Sequence, residues 1–267
     1  MAEVKKGIFY TLGFLFLAGL ILSLVAIAYK NFNFSQERFS EILILDKIYN
    51  IDSSIKNGFK DIINIKSGIT INKGASIIFS EPLPNMNNIN DVLDEYEDFL
   101  ESNFSVLVNI EDIKTRLPLK IKPHEIEYFH QDFGDNTINV NANETNFEGY
   151  TVSVTTKEDL KGNSCVASGK KQDVYLVFYA SGKNKDCSEN GKSKSKVDLY
   201  SSSGQQIATV SVTGNDLSAS SFLPINITIS IDNLNNLGIT YILLPKEALY
   251  LNFTEFNITK NSTINLL

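Results

Sequence analysis

The hydrophobic pattern of the chain changes twice between its first and last residues. An uncharged apolar run extends from Gly7 to Tyr29, over 23 residues. A helix of that length measures roughly 34 Å at about 1.5 Å per residue, which is enough to cross a bilayer. The pattern therefore predicts a transmembrane helix over residues 8–29, in contact with membrane lipid and preceded by a short N-terminus of residues 1–7.

Charges beside the apolar run predict its orientation. Lys5, Lys6 and the α-amino group outweigh Glu3, so the positive-inside rule places residues 1–7 in the cytoplasm, although Lys30 and Arg38 lie beyond the other end. The longest later apolar run is strand-sized, which makes the protein a single-pass protein of the cell membrane with an extracytoplasmic C-terminal part.

Two features of the apolar run bear on processing and helix packing. Ala26 and Ala28 form an A-x-A ending that a secretory peptidase could recognise, but the run is longer than the roughly 7–15 residues of a signal-peptide core, which favours an uncleaved anchor. Gly19 and Ser23 lie one helical turn apart. They form a small-x-x-x-small pair that either packs against another helix or faces lipid.

A second helical pattern follows over residues 30–57. Apolar residues recur three, four and seven positions apart and predict a helical stalk, at Phe39, Ile42, Leu43, Ile48, Tyr49 and Ile55. Gly58 is predicted to end the stalk, because glycine enters the left-handed region without steric cost. Asn33 and Gln36 resemble a capping box, so the helix either breaks near Asn31 or runs on unbroken. The apolar stripe requires cover from the downstream domain or from neighbouring copies, which implies self-association through helix and stalk as one option.

Residues 58–267 show the short alternating runs of an antiparallel β architecture. The predicted strands are Gly68–Asn72, Ala75–Phe79, Thr137–Ala142, Tyr150–Thr156, Val174–Ala180, Lys196–Tyr200, Gln206–Val212, Ile225–Ile231, Ile239–Leu244 and Leu249–Phe253. One amphipathic helix, Asn90–Asn103, is predicted to turn Val92, Leu93, Tyr96, Phe99 and Leu100 inward. The Lys-rich segment 181–196 is predicted to be a hairpin loop.

These elements define an α+β fold: a transmembrane helix continuing into a helical stalk, then an antiparallel, β-rich, sandwich-like domain. About 210 residues exceed the roughly 100 of a typical sandwich, so the domain holds one module or two. A break between two modules is expected near 116–123 or 157–162.

The amino-acid composition excludes several classes of function. The chain carries 24 Lys plus Arg against 31 Asp plus Glu, a net charge of −7. A nucleic-acid partner is not expected, because binding to phosphates requires a clustered basic surface. Two cysteines exclude a disulfide-dense scaffold and a four-thiolate zinc site. Cys165 and Cys187 are predicted to form a disulfide worth about 3 kcal/mol, with two free thiols as the alternative.

Residues with catalytic or metal-binding chemistry are few. His124 and His130 would share one face of a strand, but six extended residues separate them by roughly 20 Å, so two polar strand residues are predicted rather than a metal site. Asp132–Asn136 fits a turn and lacks the register of a calcium loop. No catalytic, cofactor-binding or metal-binding residue is assigned. Seven N-x-S/T sequons, which chance composition also explains, occur at Asn33, Asn103, Asn143, Asn226, Asn252, Asn257 and Asn261.

The order of these parts resembles type IV pilin-like proteins, in particular archaeal ones. Lys5-Lys6-Gly7 is followed at once by an apolar segment from Ile8, a helical stalk and a β-rich head. The resemblance implies peptidase cleavage between Gly7 and Ile8 and packing of many apolar helices in a filament core. Bacterial members usually carry Glu where this chain has Leu12, and archaeal members are looser at that position.

The sequence supports three hypotheses of different classes. The leading one is a membrane-anchored extracytoplasmic protein with a structural or interaction role at the cell surface and no catalytic activity. The first alternative is a pilin-like filament subunit processed after Gly7. The second is an anchored extracytoplasmic hydrolase, because paired carboxylates leave no recognisable sequence spacing.

Overall fold

A computed structural model describes residues 2–74, 76–85, 89–132, 136–143, 147–190, 194–233 and 240–266, with the side chains of residues 2–15, Ser35 and Glu37 left undescribed. The chain divides into two compact units, residues 1–53 and residues 54–267. The described residues of the first unit are all helical, and the second unit contains all of the strands that the structure describes.

Helix α1 runs from Ala2 to Lys66, over 65 residues. The helix is unbroken at Asn31, which is one of the two alternatives that the capping-box pattern left open. The predicted helix end at Gly58 is wrong. The helix continues because its next turns bury apolar side chains, at Phe59 and Ile63. Gly68, with φ of 74°, is the glycine that adopts the left-handed conformation beyond the helix end.

Gly58 has a packing role instead of a terminating one. A Cβ atom at this position would overlap the hydroxyl end of Tyr96, whose ring meets the ring of Phe59 edge-on at a centroid distance of 5.0 Å. The absent side chain therefore lets helix α2, Ile89–Phe104, pack closely against the last turns of α1.

The second unit contains eighteen described strands. They are β1 Thr70–Lys73, β2 Ile77–Leu83, β3 Val106–Asn109, β4 Leu119–Lys122, β5 Ile126–His130, β6 Thr137–Ala142, β7 Gly149–Thr156, β8 Cys165–Ser168, β9 Tyr175–Ser181, β10 Asp186–Asn190, β11 Lys196–Tyr200, β12 Gln206–Thr213, β13 Asp216–Ser221, β14 Ile225–Asp232, β15 Tyr241–Leu244, β16 Tyr250–Phe253, β17 Ile258–Asn261 and β18 Ile264–Asn265.

These strands form three sheets. One sheet has six strands in the order β1-β2-β14-β7-β9-β10, one has nine in the order β18-β15-β4-β5-β6-β13-β12-β11-β8, and one has three in the order β17-β16-β3. Pairing is antiparallel, as predicted, except between β7 and β9, which run parallel. Both strands belong to the six-stranded sheet, and the chain between them passes through β8 of the other large sheet.

The two large sheets contact each other through apolar side chains. Phe79 of β2 stacks on Tyr128 of β5 at a centroid distance of 4.2 Å, and both side chains are fully buried. Inward positions alternate with outward ones along the strands of the six-stranded sheet, as in Ile225–Asp232, where the isoleucines are buried. Buried apolar side chains of both large sheets belong to the core of the second unit.

Helix α2 confirms the predicted helix and extends it by one residue at each end. Leu93 and Leu100 are buried as predicted, whereas Phe99, predicted to point inward, is 47% exposed. Phe99 belongs to a surface aromatic group, because its ring lies 6.2 Å from Tyr96 and 5.7 Å from Phe104. A short third helix, α3 Glu111–Arg116, was not predicted.

The predicted loop over 181–196 is wrong in part, since it contains β10. This strand pairs with β9, and its Cys187 is buried. Neither predicted break divides the second unit. The six-stranded sheet contains strands from before and after residues 116–123, and both large sheets contain strands from before and after residues 157–162. Residue 239, the predicted first residue of the strand over 239–244, lies outside the described residues.

Candidate functional site

The apolar part of α1 is the most distinctive surface of the protein. Among the described residues, α1 contains the one stretch long and apolar enough to cross a membrane, and none of that stretch is buried. Phe16 is 72% exposed, and Tyr29, at the other end of the described run, is 67% exposed. Exposed apolar surface of this extent requires cover by lipid or by another molecule.

The residues predicted to take part in processing and helix packing all lie in α1. Gly7 and Ile8 are helical, and the side chain of Ile8 lies outside the described part of the chain. Gly19 and Ser23 are exposed, with no atom within 4 Å of a Cβ built on Gly19. The pair therefore lies on an open helix surface, where a second helix could approach closely.

Apolar exposure continues beyond Lys30, into the part predicted as a stalk. The exposed large apolar side chains there are Phe32, Phe34, Phe39, Ile42, Leu43, Ile44, Leu45 and Tyr49. The Arg38 guanidinium lies 4.4 Å from the centre of the Phe34 ring, one turn earlier, which places a cation beside the apolar surface.

Cys165 and Cys187, the pair predicted from the sequence, are joined by a disulfide with a Cα–Cα distance of 5.9 Å. Cys165 begins β8, the edge strand of the nine-stranded sheet, and Cys187 lies on β10, the edge strand of the six-stranded sheet. The bond therefore links the two large sheets at one of their edges.

Both histidines are buried, and His130 lies on a strand as predicted, whereas the prediction of a strand position for His124 is wrong. His124 lies in the turn between β4 and β5, before the left-handed residue Glu125, so it does not share a strand with His130. His130 ends β5 and has no exposed surface. Its Nε2 lies 3.2 Å from Oε2 of Glu81 on the facing sheet.

Glu81 is the centre of a buried polar cluster between the two large sheets. The Tyr128 hydroxyl donates to its Oε1, and Asn85 Nδ2 donates to its Oε2 at 2.8 Å. Asn85 also donates to the carbonyl of Ser67 at 2.7 Å, which ties the cluster to the end of α1. The Glu81 carboxyl group thus replaces its hydrogen bonds to water with hydrogen bonds from protein donors. A buried polar group is tolerated when it is hydrogen-bonded in this way.

Electrostatics keep the Tyr128 hydroxyl protonated. Burial first, and then the neighbouring Glu81 carboxyl, raise the pKa of Tyr128 well above its ordinary value. The phenol therefore remains a donor. No side chain of the cluster reaches solvent, so its chemistry is that of a polar contact between sheets and not of a site open to a substrate.

A second carboxylate cluster surrounds Asp232 at the end of β14. Its Oδ1 accepts from Ser230 at 2.6 Å and from Ser76 at 3.3 Å, and its Oδ2 accepts from Thr151 at 2.5 Å and from Tyr175 at 3.3 Å. Partial burial and the negative charge of Asp232 raise the pKa of Tyr175 to about 12. Hydroxyl groups on β7, β9 and β14 thus supply hydrogen bonds to the Asp232 carboxylate.

The geometry gives little support for a cation-binding site. Of Asp132–Asn136, residues 133–135 lie outside the described residues, and within the described ranges no three His, Cys, Asp or Glu side chains converge as a metal site. On the acidic helix α2, Asp94 and Glu97 both form salt bridges with Lys114 of α3.

All seven sequon asparagines are at least partly exposed. Four of these sequons lie around the three-stranded sheet, at Asn103, Asn252, Asn257 and Asn261. The hydroxyl of Thr254, which completes the Asn252 sequon, donates to the carbonyl of Ser105 at 2.7 Å. The hydroxyl-bearing residue of the Asn143 sequon lies outside the described part of the chain.

Comparison with known proteins yields no relative. No family model matches the chain, and neither a curated protein nor a solved structure is detectably similar to it.

Proposed function

We propose that this protein is anchored in the cell membrane by residues 8–29 and holds its β-rich unit outside the cytoplasm, where it has a structural or interaction role and no catalytic activity. The observation that carries the proposal is the apolar stretch of α1, which is exposed over its described length. Lipid provides the cover that such a stretch requires.

The disulfide supports the extracytoplasmic location of the β-rich unit. Disulfides persist in oxidising compartments and are rare in the cytosol, and Cys165–Cys187 links two sheet edges instead of lying in a catalytic motif. Lys5 and Lys6 favour a cytoplasmic N-terminus. The disulfide and the two lysines favour the same N-in, C-out topology.

We also propose that the two large sheets form a sandwich. Three contacts support this arrangement: the stacking of Phe79 on Tyr128, the Glu81 cluster, and the disulfide between β8 and β10. A sandwich would present one outer face of each sheet to solvent and leave the interior to packing.

The alternative proposal is a pilin-like filament subunit processed after Gly7. It is favoured by the exposed apolar side chains that continue from Phe32 to Tyr49, beyond the uncharged run that a bilayer would cover. Neighbouring helices in a filament would cover this part of α1, and Gly19 with Ser23 would allow close approach.

Mass spectrometry of the mature N-terminus separates these proposals. Protein purified from its native membrane is digested, and the first peptide is identified. Met1 or its processed successor supports the plain anchor, and Ile8 supports the pilin-like subunit. A mature chain that begins at Tyr29 would lack the anchor and would contradict both proposals.

A further inference from the structure

The outward face of the six-stranded sheet carries a row of hydroxyl side chains across all six strands. The register aligns Thr70, Ser80, Thr228, Ser153, Tyr179 and Ser188, one residue from each strand in sheet order. Neighbouring strands lie about 4.8 Å apart, so this row crosses roughly 24 Å of surface.

Two parallel rows flank the hydroxyl row, one pleat away on either side. One consists of Asn72, Ile78, Ser230, Thr151, Val177 and Asn190, and the other of Pro82, Asn226, Thr155, Ser181 and Asp186. We name these three rows together the hydroxyl face. None of its residues is buried, whereas the intervening residues of the central strands, such as Phe79, Val152 and Phe178, form the core.

The hydroxyl face is almost free of charge. One of its 17 residues, Asp186, is charged, whereas Asp, Glu, Lys and Arg make up 21% of the chain. A second carboxylate, Asp232, lies one pleat beyond the face on β14 and accepts hydrogen bonds from Ser230 and Thr151 of the face. Asp186 lies on the edge strand and accepts a hydrogen bond from Ser181 at 2.7 Å. An ordinary exposed surface carries both signs of charge, so this composition requires a separate explanation.

Several classes of partner fit this surface poorly. Nucleic acids and anionic lipids require Lys or Arg, which the hydroxyl face lacks. Protein interfaces usually have a central group of aromatic residues, Met or Arg, whereas this face has one aromatic residue and isolated Ile, Val and Pro. An uncharged ligand rich in hydroxyl groups is the complementary chemistry, because Ser, Thr and Asn side chains both donate and accept hydrogen bonds.

Tyr179 supplies the second element of recognition. It lies within the hydroxyl row, on the fifth of six strands, and is 51% exposed. Its hydroxyl and those of Ser153 and Thr155 on β7 make no hydrogen bond to any described residue. Ser80 and Thr228, also of the hydroxyl row, hydrogen-bond to each other at 2.9 Å. A tyrosine ring combines an apolar surface with a polar tip, which suits a sugar ring with its C–H face and its hydroxyls.

We propose that the hydroxyl face binds a neutral polysaccharide, with the Tyr179 ring packed against a sugar ring and the hydroxyl row hydrogen-bonded to sugar hydroxyls. The proposal rests on the proposed function only in that an extracytoplasmic domain meets such polymers. The sheet geometry that carries it does not depend on the membrane topology.

Affinity electrophoresis of the purified full-length protein in a polyoxyethylene detergent tests the proposal. The gels contain dextran, mannan, laminarin or hydroxyethylcellulose, and heparin serves as the charged control. We expect retardation by at least one neutral polysaccharide and none by heparin. Tyr179→Ala should weaken the retarding interaction by about tenfold or more, as for a central contact residue.

Matched variants separate binding from folding. Tyr241→Ala removes another exposed tyrosine, on β15 of the other sheet, and should leave retardation unchanged. Ser153→Lys puts a cation in the hydroxyl row and should weaken binding while the unfolding temperature stays within a few degrees of wild type. Absence of retardation in all four neutral gels, or full retardation of Tyr179→Ala, would overturn the proposal.

Two further outcomes would also overturn it. Retardation by heparin alone would indicate a charged ligand, and a dimer that Ser153→Lys dissociates would indicate that a second copy occupies the face. Protease accessibility on cells tests the topology separately, so failure of either proposal can be recognised without the other.

Discussion

Tyr128 donates a hydrogen bond to Glu81 across the two large sheets, and both side chains are buried. The six-stranded sheet thus contributes a carboxyl group and the nine-stranded sheet the phenol that satisfies it. The same ring stacks on Phe79, so one side chain holds the sheets together through an apolar contact and a polar one.

Tyr128→Phe should destabilise the second unit by about 1–3 kcal/mol, because Glu81 loses a donor while the ring packing is kept. Urea unfolding of the full-length protein in detergent, followed by far-ultraviolet circular dichroism, measures the change. Tyr241→Phe, at an exposed position of β15, is the control and should lie within about 0.5 kcal/mol of wild type. Equal stability of the two variants would mean that the Glu81 hydrogen bond contributes nothing.

Gly58→Ala should destabilise the second unit even though alanine favours a helix by about 1 kcal/mol. The added methyl group overlaps Tyr96, and overpacking of this kind costs typically about 1–3 kcal/mol, so the clash outweighs the helix propensity. Gly19→Ala, on the open surface of the same helix, should not change the unfolding transition of the second unit.

A double-mutant cycle tests the cause of the Gly58 effect. In a Tyr96→Ala background, Gly58→Ala should no longer be destabilising, because its obstacle has been removed. An undiminished cost in that background would assign the effect to the helix backbone and not to the contact with Tyr96.

The double substitution Cys165→Ala and Cys187→Ala should lower the free energy of unfolding by about 3 kcal/mol in the chain-entropy account, since the disulfide closes a loop with a sequence separation of 22. Dithiothreitol should produce a similar loss in the wild-type protein and none in the variant. If reduction leaves wild-type stability unchanged, the link between the two sheet edges is energetically unimportant.

Tyr175 should make stability depend on pH in the alkaline range. Its pKa is raised to about 12 in the folded protein by partial burial and Asp232, against about 10 when unfolded, so the folded state favours the neutral phenol. This contribution is complete below pH 10 and disappears as pH rises to about 12.

Spectrophotometric titration at the phenolate band measures the Tyr175 effect. Tyr175→Phe should remove one tyrosine that titrates near pH 12, and its stability deficit against wild type should shrink between pH 10 and pH 12. A deficit that stays constant through this range would contradict the assignment. Tyr179→Phe, two pleats along β9, serves as the matched control.

Sequence periodicity predicted much of the fold because most elements bury one continuous face. The strand Ile225–Ile231 and the helix Asn90–Asn103 have strong two-residue and helical periods, and both are present within one residue at each end. The prediction of a helix end at Gly58 failed because of tertiary contacts. Phe59 and Ile63 are buried when the helix continues, and Tyr96 occupies the space beside the glycine.

The polar clusters could be predicted only in part. Glu81 occupies an inward position of the alternating run Ile77–Leu83, which was a visible signal of a buried carboxyl group. Its partners Tyr128 and His130 lie almost fifty residues later, and their approach depends on how two sheets pack. The hydroxyl face likewise depends on a six-strand register that no local pattern specifies.

Protease treatment of intact cells that express the full chain with a tag at each terminus tests whether α1 crosses the membrane and leaves the β-rich unit outside the cytoplasm. We expect the C-terminal tag and the β-rich unit to be digested while the N-terminal tag survives until the cells are lysed. Protection of the C-terminal tag in intact cells, with digestion only after lysis, would show that the β-rich unit is not outside the cytoplasm.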